Sequence, residues 1–448
     1  MFYRIIKKIF NAWIIILKIA VIGSGMAGLA TARILKDAGH QITVFEALPG
    51  RGMDSYSLEY EGGIIDSPLR VMNPMLWKNT LSLATHLGLN TFPVRTYMSC
   101  SWLFEDKIDT WLTTSRSRIG NFPIINNRKG LKQYGIRLVK GMLQLRSALK
   151  QFFKSKNQDI TLDEFVKYNQ IEEVFWNGAV MPVLFTICTC DAKTIGEWPA
   201  KPLLIFLRQL TDGDALLRIQ GGTPAFVDKL LEDIDLRSGQ PITRVQEQGD
   251  LVYVENEAGE SDLFDRVIVA TPTTKVHEFL DAEQFADDIA LLKQFKFVDG
   301  ELVIHTDSVV MPVKRKDWCV LSYMMDRKFT KQHFTVWLNS IEPTLVGKSP
   351  VFQTWNPVIE IDPKKVIHKV KLTRAVVDRH TLPLTHELSA RHQQQGRKVF
   401  YCGSWSCDGL PILESAVTSA MDIAKLLDAP LPFLGLKPKV QVAPELGY

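Results

Sequence analysis

From residue 18 onward the chain alternates between short continuous apolar runs and longer stretches with a helical repeat. Lys18–Ile22 is a continuous apolar run ended by glycine, the pattern of a strand buried on both faces. Ala27 to about Ala38 then reads as a helix, stopped by Gly39, and Gln41–Phe45 as a second strand. Near the other end Val399–Cys402 reads as a strand. Pro411 suits a first helical turn, and apolar residues at 413, 416, 417, 420, 423, 424 and 427 form a helical stripe. In between, helices are predicted near 76–87 and 161–176, and "ELVIHTD" and "FTVWLN" read as β. This pattern predicts an α/β chain: a doubly wound, Rossmann-like domain with a discontinuous α+β domain inserted into it.

The first strand runs into Gly23, Gly25 and Gly28, a G-x-G-x-x-G run. Gly23 permits the tight turn, Gly25 lets backbone approach a pyrophosphate, and Gly28 lets the helix pack on the strand. The helix that starts near Ala27 points its N–H groups at the phosphates. Glu46 ends the second strand 21 residues after Gly25, followed by Ala47. An acid at that spacing reaches ribose hydroxyls, and an acid rather than an arginine disfavours a 2′-phosphate. Strand, loop, helix, strand and acid in this order indicate a dinucleotide site, without separating FAD from NAD.

Length and composition narrow the class. The chain has 448 residues, enough for two or three domain-sized bodies, and a hydrophobic content of 46% indicates a sizeable core. Lys+Arg number 53 against 49 Asp+Glu, so no nucleic-acid footprint is expected. The six cysteines do not form a disulfide framework, and the nine histidines show no metal-ligand spacing. Residues 1–17 are basic, aromatic and apolar, without a small-residue cleavage site and too short to span a bilayer. They read either as an amphipathic segment on an anionic membrane or as an unstructured extension. The stretch 131–154 mixes Lys and Arg with apolar residues and is a second candidate membrane surface. Its alternative is a solvated helix face.

Two distant stretches carry a family resemblance. "IQGGTPAFVDKLL" (219–231), with "PITRV" and "FDRVIVATP", resembles a second FAD-binding segment, with an adenine contact near Ile242 and a strand ending at Ala270 and Thr271. "VFYCGSWSCDGLPILESAVTSAMDIAKLL" (399–427) resembles the last flavin motif, with Gly403, Ser404, Leu413 and Glu414 at its contact positions. The chain is similar over residues 18 to about 428 to the flavin-containing amine oxidase and desaturase superfamily. Within it the chain is most similar to NAD/FAD-binding oxidoreductases associated with cyclopropane fatty acid synthases. The resemblance implies FAD, hydride transfer to flavin N5 and a lipid acyl or other apolar substrate. It also places Glu301 at the position near N5 where amine oxidases carry lysine, which implies an electron acceptor other than oxygen. Trp405 would stand in the loop beside the flavin. The plainer readings are a solvated strand residue for Glu301 and a core plug for Trp405. No cysteine occurs in 375–398, so the flavin is expected to be non-covalent.

The departures from the family pattern are specific. Gly52 is followed by Met53 and Asp54 where relatives have a second glycine and a basic residue, which leaves Arg51 as the candidate pyrophosphate cation. Asp66-Ser67-Pro68 replaces Asp-Thr-Gly, and Gly403-Ser404 replaces Gly-Asp. The expected layout is a segment at 1–17, a cofactor domain from 18–75, 206–275 and 396–428, a substrate domain from 76–205 and 276–395, and a surface tail at 429–448. The expected activity is an FAD-dependent oxidoreductase acting on a lipid chain, cytoplasmic and peripheral on the inner face of the membrane. A small-amine oxidase and a non-catalytic flavin-binding or redox-sensing protein are the alternatives.

Overall fold

The computed structural model describes residues 16–104, 108–116, 123–125, 127–211, 216–442, 444 and 446. The basic N-terminal segment therefore lies outside the described residues, except for its last two positions.

Five parallel strands form the first sheet, in the order Asp235–Ser238, Gln41–Glu46, Lys18–Ile22, Arg266–Val269 and Val399–Tyr401. The middle strand is apolar throughout because both its faces are covered. Ile19 and Val21 join one core with the helices Met26–Asp37 and Leu413–Leu426. Ala20 and Ile22 join another, under the antiparallel strands Ile242–Gln248, Leu251–Asn256 and Ser261–Phe264. The chain builds outward from Lys18–Ile22 on one side, then returns to its other side through Arg266–Val269. The crevice between these two strands is the switch point at which α/β sheets bind ligands.

The second body is an eight-stranded sheet: Val366–Val376, Lys296–His305, Phe352–Trp355, Gln332–Trp337, Leu321–Met325, Met98–Leu103, Ile108–Arg116 and Pro123–Ile125, in that order. Neighbours are antiparallel except Leu321–Met325 with Met98–Leu103. The stretch 76–205 is rich in helices, and it also supplies four strands, three of them to this sheet. The helix read over 161–176 is broken. Leu162–Asn169 ends at Gln170, whose φ of 47° takes the chain out of the helix, and helical structure resumes at Glu173. Leu413 rather than Pro411 opens the last helix. The tail does not wander over the surface. Phe433 is buried, Ser82 Oγ donates to the Leu436 carbonyl (2.7 Å), and Lys439–Val440 pairs with Asn90–Val94. Among the described residues no helix is long and apolar enough to cross a membrane.

Candidate functional site

The glycine loop leaves the middle strand at the switch point. Gly23 has φ of +101°, and a Cβ there would lie 2.9 Å from the Ala270 carbonyl oxygen. At Gly28 a Cβ would lie 1.9 Å from the Gly23 carbonyl oxygen, so helix and loop touch backbone to backbone. Gly25 differs: nothing lies within 4 Å of its Cβ position, and it caps the helix Met26–Asp37 without any side-chain acceptor. No side chain caps the first N–H groups of that helix, the condition for an anion site. Glu46 is buried beside the loop. Its carboxylate accepts from Ser24 N (2.9 Å), Ser24 Oγ (2.6 Å) and Leu48 N (3.0 Å). Gly52, with φ of +65°, packs onto Ser24, where a Cβ would meet the Ser24 oxygens at 2.2 Å. Ile242 begins its strand just after Gln240, whose N–H donates to the Glu46 carbonyl (3.0 Å), while Ala47 is exposed.

The three cofactor segments meet again further along. Met53, Asp66, Arg70, Met72, Ile219, Gly222, Thr223, Phe226 and Leu413 enclose a hollow of about 10 Å³. Asp66 is its fixed point. It accepts from Arg218 Nη2 (2.9 Å) and Thr223 N (2.8 Å), and Gln353 Nε2 donates to its carbonyl (2.9 Å). Arg218 also pairs with Glu342 (2.7 Å) and donates to the Ile341 carbonyl (3.0 Å). All three charged side chains are buried. Arg70 and Arg374 are partly buried and have no ionic partner among the described residues. Each makes one long hydrogen bond, Arg70 to the Met53 carbonyl (3.3 Å) and Arg374 to the Ile187 carbonyl (3.4 Å). Burial lowers both guanidinium pKa values, Arg70 to about 10; at Arg70 the nearby Asp66 offsets part of this and Arg374 adds to it.

The other sequence candidates are placed as follows. Arg51 is held between Asp54 and Asp228. The N–H of Gly403 donates to Ser406 Oγ (3.1 Å) and Ser419 Oγ (3.2 Å), and Ser404 is partly exposed in the same turn. Glu414 accepts from Asn79 N (3.0 Å), Thr80 N (2.9 Å) and Thr80 Oγ1 (3.0 Å), where it caps the helix Lys78–His86. Trp405 is buried edge-on against Phe295, ring centres 4.8 Å apart. Glu301 lies on Lys296–His305, its backbone bonded to Asn356. Neither Trp405 nor Glu301 lines the hollow. Sequence reasoning missed Arg70, Arg218, Arg374 and Glu342. A signal existed for Arg218, a lone charge inside the apolar run "LLRI".

These residues fit a dinucleotide at its phosphate and ribose end: the open cradle at Gly25, the acid at 46, and Thr271 Oγ1 left without a hydrogen-bond partner next to Gly23. At the ring end the polar atoms are also waiting, with Ser67 Oγ, Arg70 Nε and Thr223 Oγ1 all unpartnered. The hollow there has room for one water, so Met53, Met72 and Leu413 must move aside for a ring system.

The family model "Flavin containing amine oxidoreductase" matches residues 26–357. No curated protein sequence matches the chain. Similar solved structures include a CLA-producing fatty acid isomerase from P. acnes, 15% identical with a TM-score of 0.62, over 91% of this chain and 98% of that one. An oxidoreductase from Methanosarcina mazei is 12% identical with a TM-score of 0.61, over 91% and 100%. Putrescine oxidase bound to putrescine is 12% identical with a TM-score of 0.60, over 92% and 98%. At these identities the likeness speaks for the fold. Together with the glycine loop, the acid at 46 and the match over most of the chain, it leads to one assignment: the chain belongs to the flavin-containing amine oxidoreductase family and is a flavin-dependent oxidoreductase.

Proposed function

We propose that the chain holds FAD without a covalent bond and oxidises an apolar substrate that carries an anionic head, of the fatty acyl class. When bound, the flavin accepts two electrons as a hydride from a substrate carbon. The chain's own residues do the positioning. The observation that carries this reading is Arg70, a guanidinium without an ion pair among the described residues, set in walls made of Met53, Met72, Ile219, Phe226 and Leu413. A guanidinium set among apolar walls without an ion pair is costly, and a carboxylate fits its forked donors. A protonated amine would meet the Arg70 cation there, while the carboxylate of the hollow, Asp66, is already engaged by Arg218 and Thr223 N, which argues against a small amine as substrate. The likeness to a fatty acid isomerase agrees with an acyl chain. Non-covalent attachment is supported by the cysteines of the last flavin segment. Burial pushes Cys402 and Cys407 up to about 12, so both stay as thiols, which are poor nucleophiles.

The test is anaerobic reduction of the flavin-loaded protein. A long-chain fatty acid should bleach the flavin; its methyl ester and putrescine should not. Arg70→Met should raise the acid concentration needed by about tenfold or more, the loss of one charge-assisted pair. Bleaching by putrescine would overturn the reading. A loaded protein that none of the three reduces would favour the non-catalytic alternative, for which the narrow ring end is the supporting observation.

A further inference from the structure

The helix Arg128–Phe152 has two faces that the fold uses differently. One is buried: Tyr134, Leu138, Leu145, Ala148, Leu149 and Phe152 point into the molecule. Two glycines bring this face very close to its neighbours. A Cβ at Gly130 would lie 1.5 Å from the Trp111 carbonyl oxygen, and one at Gly141 would lie 2.3 Å from Phe175 Cβ. Asn127 fixes the start of the helix, its Oδ1 accepting from Gly130 N (2.8 Å). The helix is thus rigidly seated, and its outward face is determined.

That outward face is apolar and cationic at once. Leu131, Ile136, Val139, Met142 and Leu143 are all exposed, Ile136 to 88%. At 100° per residue Ile136, Val139 and Leu143 share a stripe with Lys132, Arg146 and Lys150, opposite the buried side. The helix holds seven Lys and Arg residues and no Asp or Glu. Lys129 pairs with Asp109 and Arg137 with Glu172. Arg128, Lys132, Lys140, Arg146 and Lys150 have no acidic partner among the described residues. A merely solvated face has no reason to expose five apolar side chains, and one without acids is not balanced for water.

We propose that this face of Arg128–Phe152 docks on an anionic lipid surface, with the apolar side chains among the acyl chains and the cations at the headgroups. Charge complementarity selects the occupant. The cations are interspersed with the apolar side chains along the whole helix, which suits a plane of anionic headgroups. A protein partner would more typically be met by aromatic anchors in a hollow, and this face carries aliphatic side chains on a ridge. The inference stands apart from the substrate reading, since it uses no residue of the cofactor site.

The test uses the full chain with vesicles of phosphatidylcholine alone or mixed with phosphatidylglycerol. The protein should sediment with the mixed vesicles, and less so as salt rises. Lys132→Gln/Lys140→Gln/Arg146→Gln/Lys150→Gln should lower partitioning by about tenfold or more, since each cation near such a surface acts independently. Ile136→Glu/Leu143→Glu should lower it similarly. Every substituted side chain is exposed, so unchanged thermal unfolding verifies that the variants are folded. Sedimentation that is equal for wild type and both variants would overturn the proposal and assign binding to another segment. So would equal sedimentation with pure phosphatidylcholine. Failure to bind either vesicle while polyglutamate binds would overturn it in favour of an acidic protein partner.

Discussion

The glycine loop at 23–28 and the hollow bounded by Met53, Asp66 and Leu413 are the two ends of the candidate cofactor site, and they are built by different means. The loop is held by backbone: Gly23 against Ala270, Gly28 against Gly23, and space left free at Gly25. The hollow is held by charge, with Arg218 between Asp66 and Glu342, and it is filled by flexible apolar side chains. A backbone-built site is ready before its ligand arrives. A side-chain-built site takes its shape from the rotamers of the residues that line it.

The charged network gives the sharpest way to break this contrast. Arg218→Met removes the cation and leaves two carboxylates buried without compensation. A loss of about 3–5 kcal/mol is expected, read from the denaturation midpoint. Asp66 would also lose the partner that holds it beside Thr223. A loss under about 1 kcal/mol would mean that the network is not what fixes the ring end.

Acid should act on the same end. Gln353 holds the Asp66 carbonyl, and the next residue, Thr354, bonds both His305 Nε2 (2.8 Å) and Thr335 Oγ1 (2.8 Å). Asp307 N donates to His305 Nδ1 (3.2 Å), so His305 carries its proton on Nε2. Burial lowers His305 to about 4 and His333, two strands away across Phe352–Trp355, to about 3, from 6.5. Both are neutral when folded and take up protons on unfolding. Stability is therefore intact above pH 6.5 and falls as pH drops toward the folded values. At pH 5 each histidine costs about 2 kcal/mol, so the pair costs about 4. The check is denaturation at pH 7 and pH 5, in wild type and in His305→Gln. The glutamine variant should lose less between the two pH values.

What the sequence revealed follows the same division. Lys18–Ile22 and the glycine loop were legible because each constraint is local, a run of apolar residues or a turn that only glycine tolerates. Met98–Leu103 was not read as a strand because its buried polar residues hide the pattern. Ser99 bonds Ser322 (3.0 Å) and Ser101 bonds Thr110 (2.9 Å), so hydroxyls sit inside the sheet where apolar residues are expected. Arg218 and Asp66 are 152 positions apart, and no periodicity links them. The docked tail was missed because one residue, Phe433, anchors a stretch whose composition otherwise reads as loop.

The loop itself can be split by two substitutions. Gly28→Ala drives a Cβ into the Gly23 carbonyl and should cost about 1–3 kcal/mol of stability. Gly25→Val meets open space at its Cβ and has an ordinary extended backbone, φ −67° and ψ 175°, so the cost is that of a poorer helix cap, about 1 kcal/mol, below that of Gly28→Ala. Its side chain occupies the phosphate cradle, and flavin binding should be lost. Denaturation and flavin titration on both variants decide this. If Gly25→Val binds flavin normally, the open cradle is not the phosphate site.

The smallest effect tests the closed end most directly. Leu413 opens the last helix, is only partly buried and projects into the hollow, so Leu413→Ala should cost about 1 kcal/mol or less. If the ring enters by pushing aside Met53, Met72 and Leu413, shortening one of them should speed flavin uptake by the apoprotein severalfold. Val417→Ala is the control. It lies on the same helix, fully buried, and is not part of the hollow, so it should lower stability without changing the rate. Stopped-flow quenching of flavin fluorescence reads the rate directly. Equal rates in the two variants would mean that these side chains do not gate the ring end. The slow step would then lie in separating the Arg218 network that joins the nucleotide domain to the large sheet.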